Sequence, residues 1–226
     1  MNAVSVLATL GPAYLLGAIP WSLWIGRWRG VDLRSVGSGN LGATNVYRQL
    51  GPRWGIPVLL LDVAKGTVAV LWGSGSPWAD AFPGGAAWAG LVAGLAAIAG
   101  HVYTVFAGFR GGKGVATTVG AFLALAPLAM ASGIAIFFLT LFWSKRVSVG
   151  SIAMAVSLPF LIAATTHSAV RESLVALGAL ISALVILRHR DNIRRLRQGT
   201  EPPFVFRNRA AGASETATRP PKEEGR

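Results

Sequence analysis

The chain has 226 residues, 53% of them hydrophobic and only 13% charged, where a soluble domain carries about 25% charged residues. Its 21 Lys and Arg against nine Asp and Glu give a net charge of +12, and the basic residues gather at the ends of apolar runs, which favours a membrane face over nucleic acid as their partner. The absence of cysteine excludes disulfides, thiolate nucleophiles and thiolate metal sites.

No charged side chain falls in residues 1–26, 81–109, 114–144 or 147–170. Crossing the hydrocarbon takes about 20 apolar residues, so these runs are transmembrane candidates. Backbone groups in lipid must be satisfied within their own segment, which makes the runs helices. A barrel would alternate with turns about every 10 residues, and no such pattern is present. The expected fold is therefore an all-α polytopic integral membrane protein. The start lacks a basic n-region and its apolar run is long enough to span, so it reads as a first helix and not a cleaved signal.

In chain order, the first helix is predicted from Val4 to Ile25, with Pro12 and Pro20 as kink points. Arg27, Arg29 and Arg34 follow at once and assign this end to the cytoplasm. Next comes Gly37–Arg48, GSGNLGATNVYR. Gly37, Gly39 and Gly42 allow close backbone approach. Ser38, Asn40, Thr44 and Asn45 add neutral donors, and Arg48 adds a charged fork. No carboxylate lies between Asp32 and Asp62, so the loop suits an anion such as a phosphate. The G-x-G-x-x-G spacing, with Asp62 twenty residues past Gly42, imitates a dinucleotide fingerprint. That fingerprint needs a strand and a βαβ unit, and the flanks here are of bilayer-spanning length. A plain membrane turn would explain the glycines but not the donors beside them.

A second apolar stretch runs from Ile56 to about Gly73 and carries Asp62 and Lys65 on one helical face. A structural ion pair and a site-lining role both remain open for them. The loop Ser74 to Ala86 holds Asp80 and no basic residue, and reads as the outside face. A third helix, Trp88 to Phe109, returns to the cytoplasm through Gly100-His101. Arg110-Gly111-Gly112-Lys113-Gly114 then opens into Val115-Ala116-Thr117-Thr118. It is not a Walker A loop, because Ala107 stands at the first glycine and Gly114 at the Ser/Thr. A glycine turn with Lys and Arg before a helix N-terminus still favours an anion.

Residues 114–144 end at Lys145-Arg146, with Pro127 near the middle. Two short crossings meeting near Pro127 keep that basic pair inside. Helices from Val149 to Thr165 and from Ser173 to Leu187 follow. The expected count is seven helices with the N-terminus outside and the C-terminus cytoplasmic; five crossings is the alternative. Arg188–Glu201 (RHRDNIRRLRQGTE) forms a third polar element, an amphipathic helix at the headgroups. Residues 1–201 are expected to form one membrane-embedded domain, and 202–226 a polar, disordered tail.

All three polar elements fall on one face in this topology and can close on one cationic pocket. Its candidate reactive residues are Ser38, Arg48, Lys113, His189 and Asn192. Gly37, Gly39, Asn40, Gly42, Thr44, Asn45, Gly111, Gly112 and Gly114 are the candidate phosphate-binding positions. No metal site is expected, since the three His are widely spaced without HExxH or an Asp-rich cluster. No G-x-S-x-G elbow occurs. A membrane transporter of an anion or phosphate ester is the alternative reading.

The stretches Gly37–Arg48, Gly100–Thr117 (GHVYTVFAGFRGGKGVAT) and His189–Glu201 closely resemble, in order, the three signature motifs of the bacterial acyl-phosphate:glycerol-3-phosphate acyltransferases, the PlsY family. The resemblance implies a seven-helix enzyme of the bacterial inner membrane with its active site facing the cytoplasm. It implies transfer of a fatty acyl group from acyl phosphate to the 1-hydroxyl of sn-glycerol 3-phosphate. Lysophosphatidic acid and inorganic phosphate would be the products, opening phospholipid synthesis without a cofactor. The soluble enzyme that makes acyl phosphate is a candidate partner. The resemblance carries functional roles onto Ser38, Arg48, Lys113, His189 and Asn192 and onto the glycines named above. It implies direct attack, with either a substrate phosphate or His189 taking the proton. The family often has proline where Thr104 or its neighbours stand, so the local kink is the one departure.

Overall fold

The computed structural model describes residues 3–205, and every regular element among them is helical. The first apolar run is one broken rod, α1 (Ala3–Ala18) and α2 (Trp21–Trp28), interrupted at Ile19-Pro20. Pro20 lacks the N–H that a continuous helix would use there. After an irregular polar loop comes the short α3 (Ala43–Leu50), then α4 (Pro52–Gly75). Gly51 has φ 83° and turns the chain so that Pro52 opens α4, earlier than expected from the hydropathy. α5 (Gly85–Val102), α6 (Val115–Leu125), α7 (Pro127–Ser144), α8 (Val147–Thr165), α9 (Arg171–Arg188) and α10 (Arg190–Arg197) complete the order, with 3₁₀ turns at Ala79–Ala81 and Val105–Ala107.

Five stretches are long and apolar enough to cross a bilayer: Ala3–Trp28, Pro52–Gly75, Gly85–Ala107, Pro127–Ser144 and Val147–Thr165. α9 and α10, bent by 58° between them, make a sixth only if the pair is counted as one span. The break expected near Pro127 is present: α6 stops at Leu125 and Pro127 opens α7. With 11 residues, α6 is about 17 Å long, half a crossing, so the expected count of seven rests on this one short helix.

Packing divides into two groups. α4 lies against α1, α5 and α6, while α8 lies between α7 and α9. A large apolar cluster bridges them through Ile98 of α5, Phe122 of α6, Met130 of α7, Leu158 of α8 and Ile181 of α9. Lipid supplies no hydrophobic drive between helices, so close backbone approach at small residues does that work. The α4–α6 crossing is the tightest case. A Cβ on Gly120 would lie 1.8 Å from the Val63 carbonyl oxygen, and one on Gly66 would lie 2.1 Å from that of Thr117. This contact sets α6, and the loop before it, level with the middle of α4.

Among the described residues every Lys and Arg except Lys65 and Arg171 lies at one end of the bundle. That end gathers the close of α2, the starts of α3 and α4, the loop before α6, the α7–α8 turn and α10. Of the expected tail, 206–226 lie outside the described residues. Pro202 and Phe204 lie on the body, where Arg48 donates to the Pro202 carbonyl (3.2 Å) and the Phe204 ring rests 5.0 Å from that of Tyr47.

Replacing Gly120 by Leu forces α6 off α4. Overpacking of this kind costs about 1–3 kcal/mol or more, because backbone and not a flexible side chain is in the way. Gly120→Leu should lower the thermal aggregation midpoint in detergent, whereas Leu123→Ala, at a partly exposed position of the same helix, should shift it little.

Candidate active site

The first polar loop is held by a side chain from the helix that follows it. Asn45, buried in the first turn of α3, donates to the carbonyls of Leu33 (3.0 Å) and Val36 (3.2 Å) and accepts from the Ser38 N–H (3.2 Å). Its amide is spent on the loop's shape. Gly37, Gly39 and Gly114 have positive φ and supply the turns.

Two helices begin at the same place. Gly42, Ala43 and Thr44 open α3, Gly114, Val115 and Ala116 open α6, and all six border one cavity of about 600 Å³. Neither start has a side-chain cap, so first-turn N–H groups are left for whatever occupies the cavity. Ser38, Asn40, Asn45, Arg48, Lys113, His189 and Asn192 border it too. The structure thus brings together every candidate reactive residue. Gly37, Gly39, Gly111 and Gly112 do not line the cavity; they shape the loops behind it.

The third element reaches the cavity through a carboxylate that the sequence reading left out of the site. Glu201 accepts from Asn192 Nδ2 (2.7 Å), Ser148 Oγ (2.7 Å) and Arg195 Nε (2.7 Å). Asn192 Oδ1 accepts from Lys113 Nζ. The signal for Glu201 was available: it is an acid closing a run of arginines, in an element whose one other acid is Asp191. Ser148 and Tyr47 of the lining carried no such signal.

Charges at the cavity do not cancel. Glu201 is paired with Arg195, and Asp62, on the lining, is paired with Lys65 (2.9 Å). Arg48 and Lys113 form no ion pair among the described residues, and donate instead to the neutral oxygens of Pro202 and Asn192. Burial lowers the Lys113 ammonium to about 8, and Arg195, Arg188 and Arg48 add to the effect against the pull of Glu201. Burial, helped by the Lys113 charge, takes His189 down to about 4, so its imidazole is neutral at pH 7. His189 Nδ1 donates to the Val185 carbonyl (2.8 Å), which leaves Nε2 as an acceptor. Burial pushes the Glu201 carboxyl up, but the donors Asn192, Ser148 and Arg195 outweigh it, and the group lies below its ordinary value.

The other limb of the cavity is apolar. Leu59, Leu60 and Val63 of α4 face Phe137, Phe138 and Leu141 of α7, with Val119 and Met154 between. Leu60 and Phe138 line the cavity and are each 61% exposed, so this limb opens sideways from the bundle. The arrangement can hold an anionic head on cations and N–H groups and an aliphatic chain along α4 and α7.

A profile of the glycerol-3-phosphate acyltransferase family matches residues 7–199. The chain is 47% identical over 196 residues to a glycerol-3-phosphate acyltransferase of Geobacter sulfurreducens, covering 85% of this chain and 94% of that relative. It is 39% identical over 232 residues to the enzyme of that name from Chlorobaculum parvum, covering 92% and 100%. Its fold is similar to the crystal structure of PlsY, an integral membrane glycerol 3-phosphate acyltransferase, in its glycerol 3-phosphate form. That match has a TM-score of 0.79 and 37% identity, covering 95% of this chain and all of that one. The lysophosphatidic acid form of PlsY gives a TM-score of 0.77, covering 89% of this chain and 96% of that one.

Lys113 is cationic below its pKa and neutral above it. Binding of inorganic phosphate to the purified protein should therefore hold below pH 8 and weaken as pH rises through about 8. The fall expected from one lost charge is about tenfold per pH unit. Lys113→Met should bind phosphate weakly throughout and lose the break, as read by titration calorimetry.

Proposed function

This chain belongs to the glycerol-3-phosphate acyltransferase family, and we propose that its acyl donor is acyl phosphate, with lysophosphatidic acid and inorganic phosphate as products. The observation that carries the reading is the two-sided cavity: uncompensated cations at one limb and an apolar, sideways-open limb at the other. An acyl phosphate has one part for each.

Arg48, Lys113, Ser38 and the first-turn N–H groups of α3 and α6 neutralise the two phosphate-bearing substrates. The glycerol 1-hydroxyl attacks the acyl carbonyl carbon. A new C–O ester bond forms, the bond from that carbon to the phosphate oxygen breaks, and phosphate leaves with the electron pair. Acyl phosphate is already an activated mixed anhydride, so no covalent enzyme intermediate is needed. The hydroxyl proton goes to a substrate phosphate, whose second pKa near 6 makes it the better acceptor. His189, held at about 4, is the weaker base. Its Nε2 serves as a hydrogen-bond acceptor that orients glycerol 3-phosphate, and Asn192 keeps Lys113 aimed into the cavity.

The basic end of the bundle is read as the cytoplasmic face of a bacterial inner membrane by the positive-inside rule. That end is where glycerol 3-phosphate and a soluble enzyme making acyl phosphate would approach.

Purified protein given palmitoyl phosphate and labelled glycerol 3-phosphate should form lysophosphatidate and inorganic phosphate in equal amounts. Phosphate ester uptake into vesicles without product would instead favour a transporter. Lys113→Ala should nearly abolish turnover, and retained turnover would remove it from the phosphate site. His189→Gln should raise KM for glycerol 3-phosphate with kcat within a few-fold. A fall in kcat of about 100-fold or more would make His189 the base.

A further inference from the structure

Two charges on α4 take no part in the chemistry just described. Asp62 and Lys65 are nearly fully buried within an apolar helix and pair at 2.9 Å. Taking such a pair out of water costs several kcal/mol per ion, and an apolar pair of similar size would hold two helices as well. Charges of this kind in membrane helices mark functional positions by default.

The pair leads to the phosphate loop. Lys65 Nζ also donates to the Ile19 carbonyl (3.1 Å), at the break between α1 and α2. On the other side, Asp62 Oδ1 lies 3.6 Å from Nδ1 of His101, one residue before the end of α5. The His101 ring is wedged between that carboxylate and the glycine loop. A Cβ on Gly112 would lie 2.1 Å from His101 Nε2, so the loop rests directly on the ring. The main chain repeats the contact: Gly112 N–H donates to the His101 carbonyl (3.1 Å) and Gly111 N–H to that of Val102 (3.0 Å). A Cβ on Gly111 would lie 2.0 Å from the His101 oxygen. Lys113 is the next residue, and its ammonium meets Asn192. Asp62 and His101 also border the main cavity, beneath the loop.

We propose that Asp62 and His101 are positioning residues for the phosphate loop. The carboxylate aligns the imidazole, and the imidazole props Gly112 at the height that lets Lys113 reach both Asn192 and the substrate phosphate. Lys65 pairs with Asp62 and anchors it to the α1–α2 break. This rests on the acyltransferase reading and adds to it the support of its phosphate site. A 1 Å error in such a placement costs as much as about 100-fold in rate, which gives the prop its leverage.

The test is steady-state kinetics on the full chain in detergent, varying each substrate separately. His101→Phe keeps a ring and removes its alignment to Asp62. It should raise KM for both phosphate-bearing substrates about tenfold or more while kcat stays within a few-fold. Asp62→Asn alone strands a buried Lys65 and can unfold the protein, so the charge-neutral pair Asp62→Asn/Lys65→Met is used in its place. It should show the same rise in KM with a thermal midpoint close to that of the parent. The triple variant with His101→Phe should be no worse than His101→Phe alone, because one alignment is lost once. Unchanged KM for both substrates, a loss confined to kcat, or additive losses in the triple variant would each overturn the proposal. If the parent protein itself forms no lysophosphatidate, the assigned reaction fails. If the parent turns over and the variants behave like it, the prop alone fails.

Discussion

A single carboxylate fixes the polarity of the site. Glu201 accepts from Asn192 Nδ2, and that one bond decides which way the Asn192 amide faces. With its NH₂ turned to Glu201, its oxygen is the end offered to Lys113. Lys113 is thereby held by a neutral acceptor, which orients the ammonium without cancelling its charge. A carboxylate in direct contact would have neutralised the group that an anion needs. Ser148 and Arg195 share Glu201 and offset the cost of burying it, so α8, α10 and the loop before α6 are joined through one side chain.

Depth follows from the α4–α6 crossing. Because Gly66 and Gly120 let the two backbones touch, α6 starts level with Asp62, ten residues and so about 15 Å along α4 from its start. The phosphate loop is consequently sunk below the basic end of the bundle. The apolar limb begins where the polar one stops, at Val63 and Val119. Burial at this depth is also what separates the protonation states of Lys113 and His189. Packing of small residues in one place therefore sets electrostatics in another.

Much of this was legible in the sequence, for identifiable reasons. Long uncharged runs have one solution in lipid, so helices were dictated. The break at Pro127 was readable because proline removes a helix N–H and basic residues at 145–146 demanded a return, although Pro12, Pro57 and Pro159 sit inside α1, α4 and α8. Donor-rich, acid-poor loops announced an anion. What stayed hidden depended on contacts between residues far apart. Asn45 looked like a ligand donor, yet it staples its own loop, and nothing local distinguishes the two uses. Glu201 looked like the end of a basic helix until Ser148, more than fifty residues away, met it. The Asp62–Lys65 pair was visible as a helical spacing, but its neighbour His101 lies on another helix.

The proton inventory near pH 7 bears on how the proposed transfer proceeds. A general base works best with a pKa close to the operating pH. In this cavity burial takes His189 to about 4, well below that optimum, while Lys113, lowered to about 8, stays mostly protonated at pH 7. One is left neutral and accepting, the other charged and donating, and each suits holding a substrate better than moving a proton. A phosphate monoester, with a second pKa near 6, carries its own base to the place where the hydroxyl loses its proton. Cations gathered around that phosphate would lower its basicity if they neutralised it fully. A site that orients Lys113 on the neutral Asn192 oxygen, and ties Arg48 in part to the Pro202 carbonyl, holds the anion while leaving it able to accept.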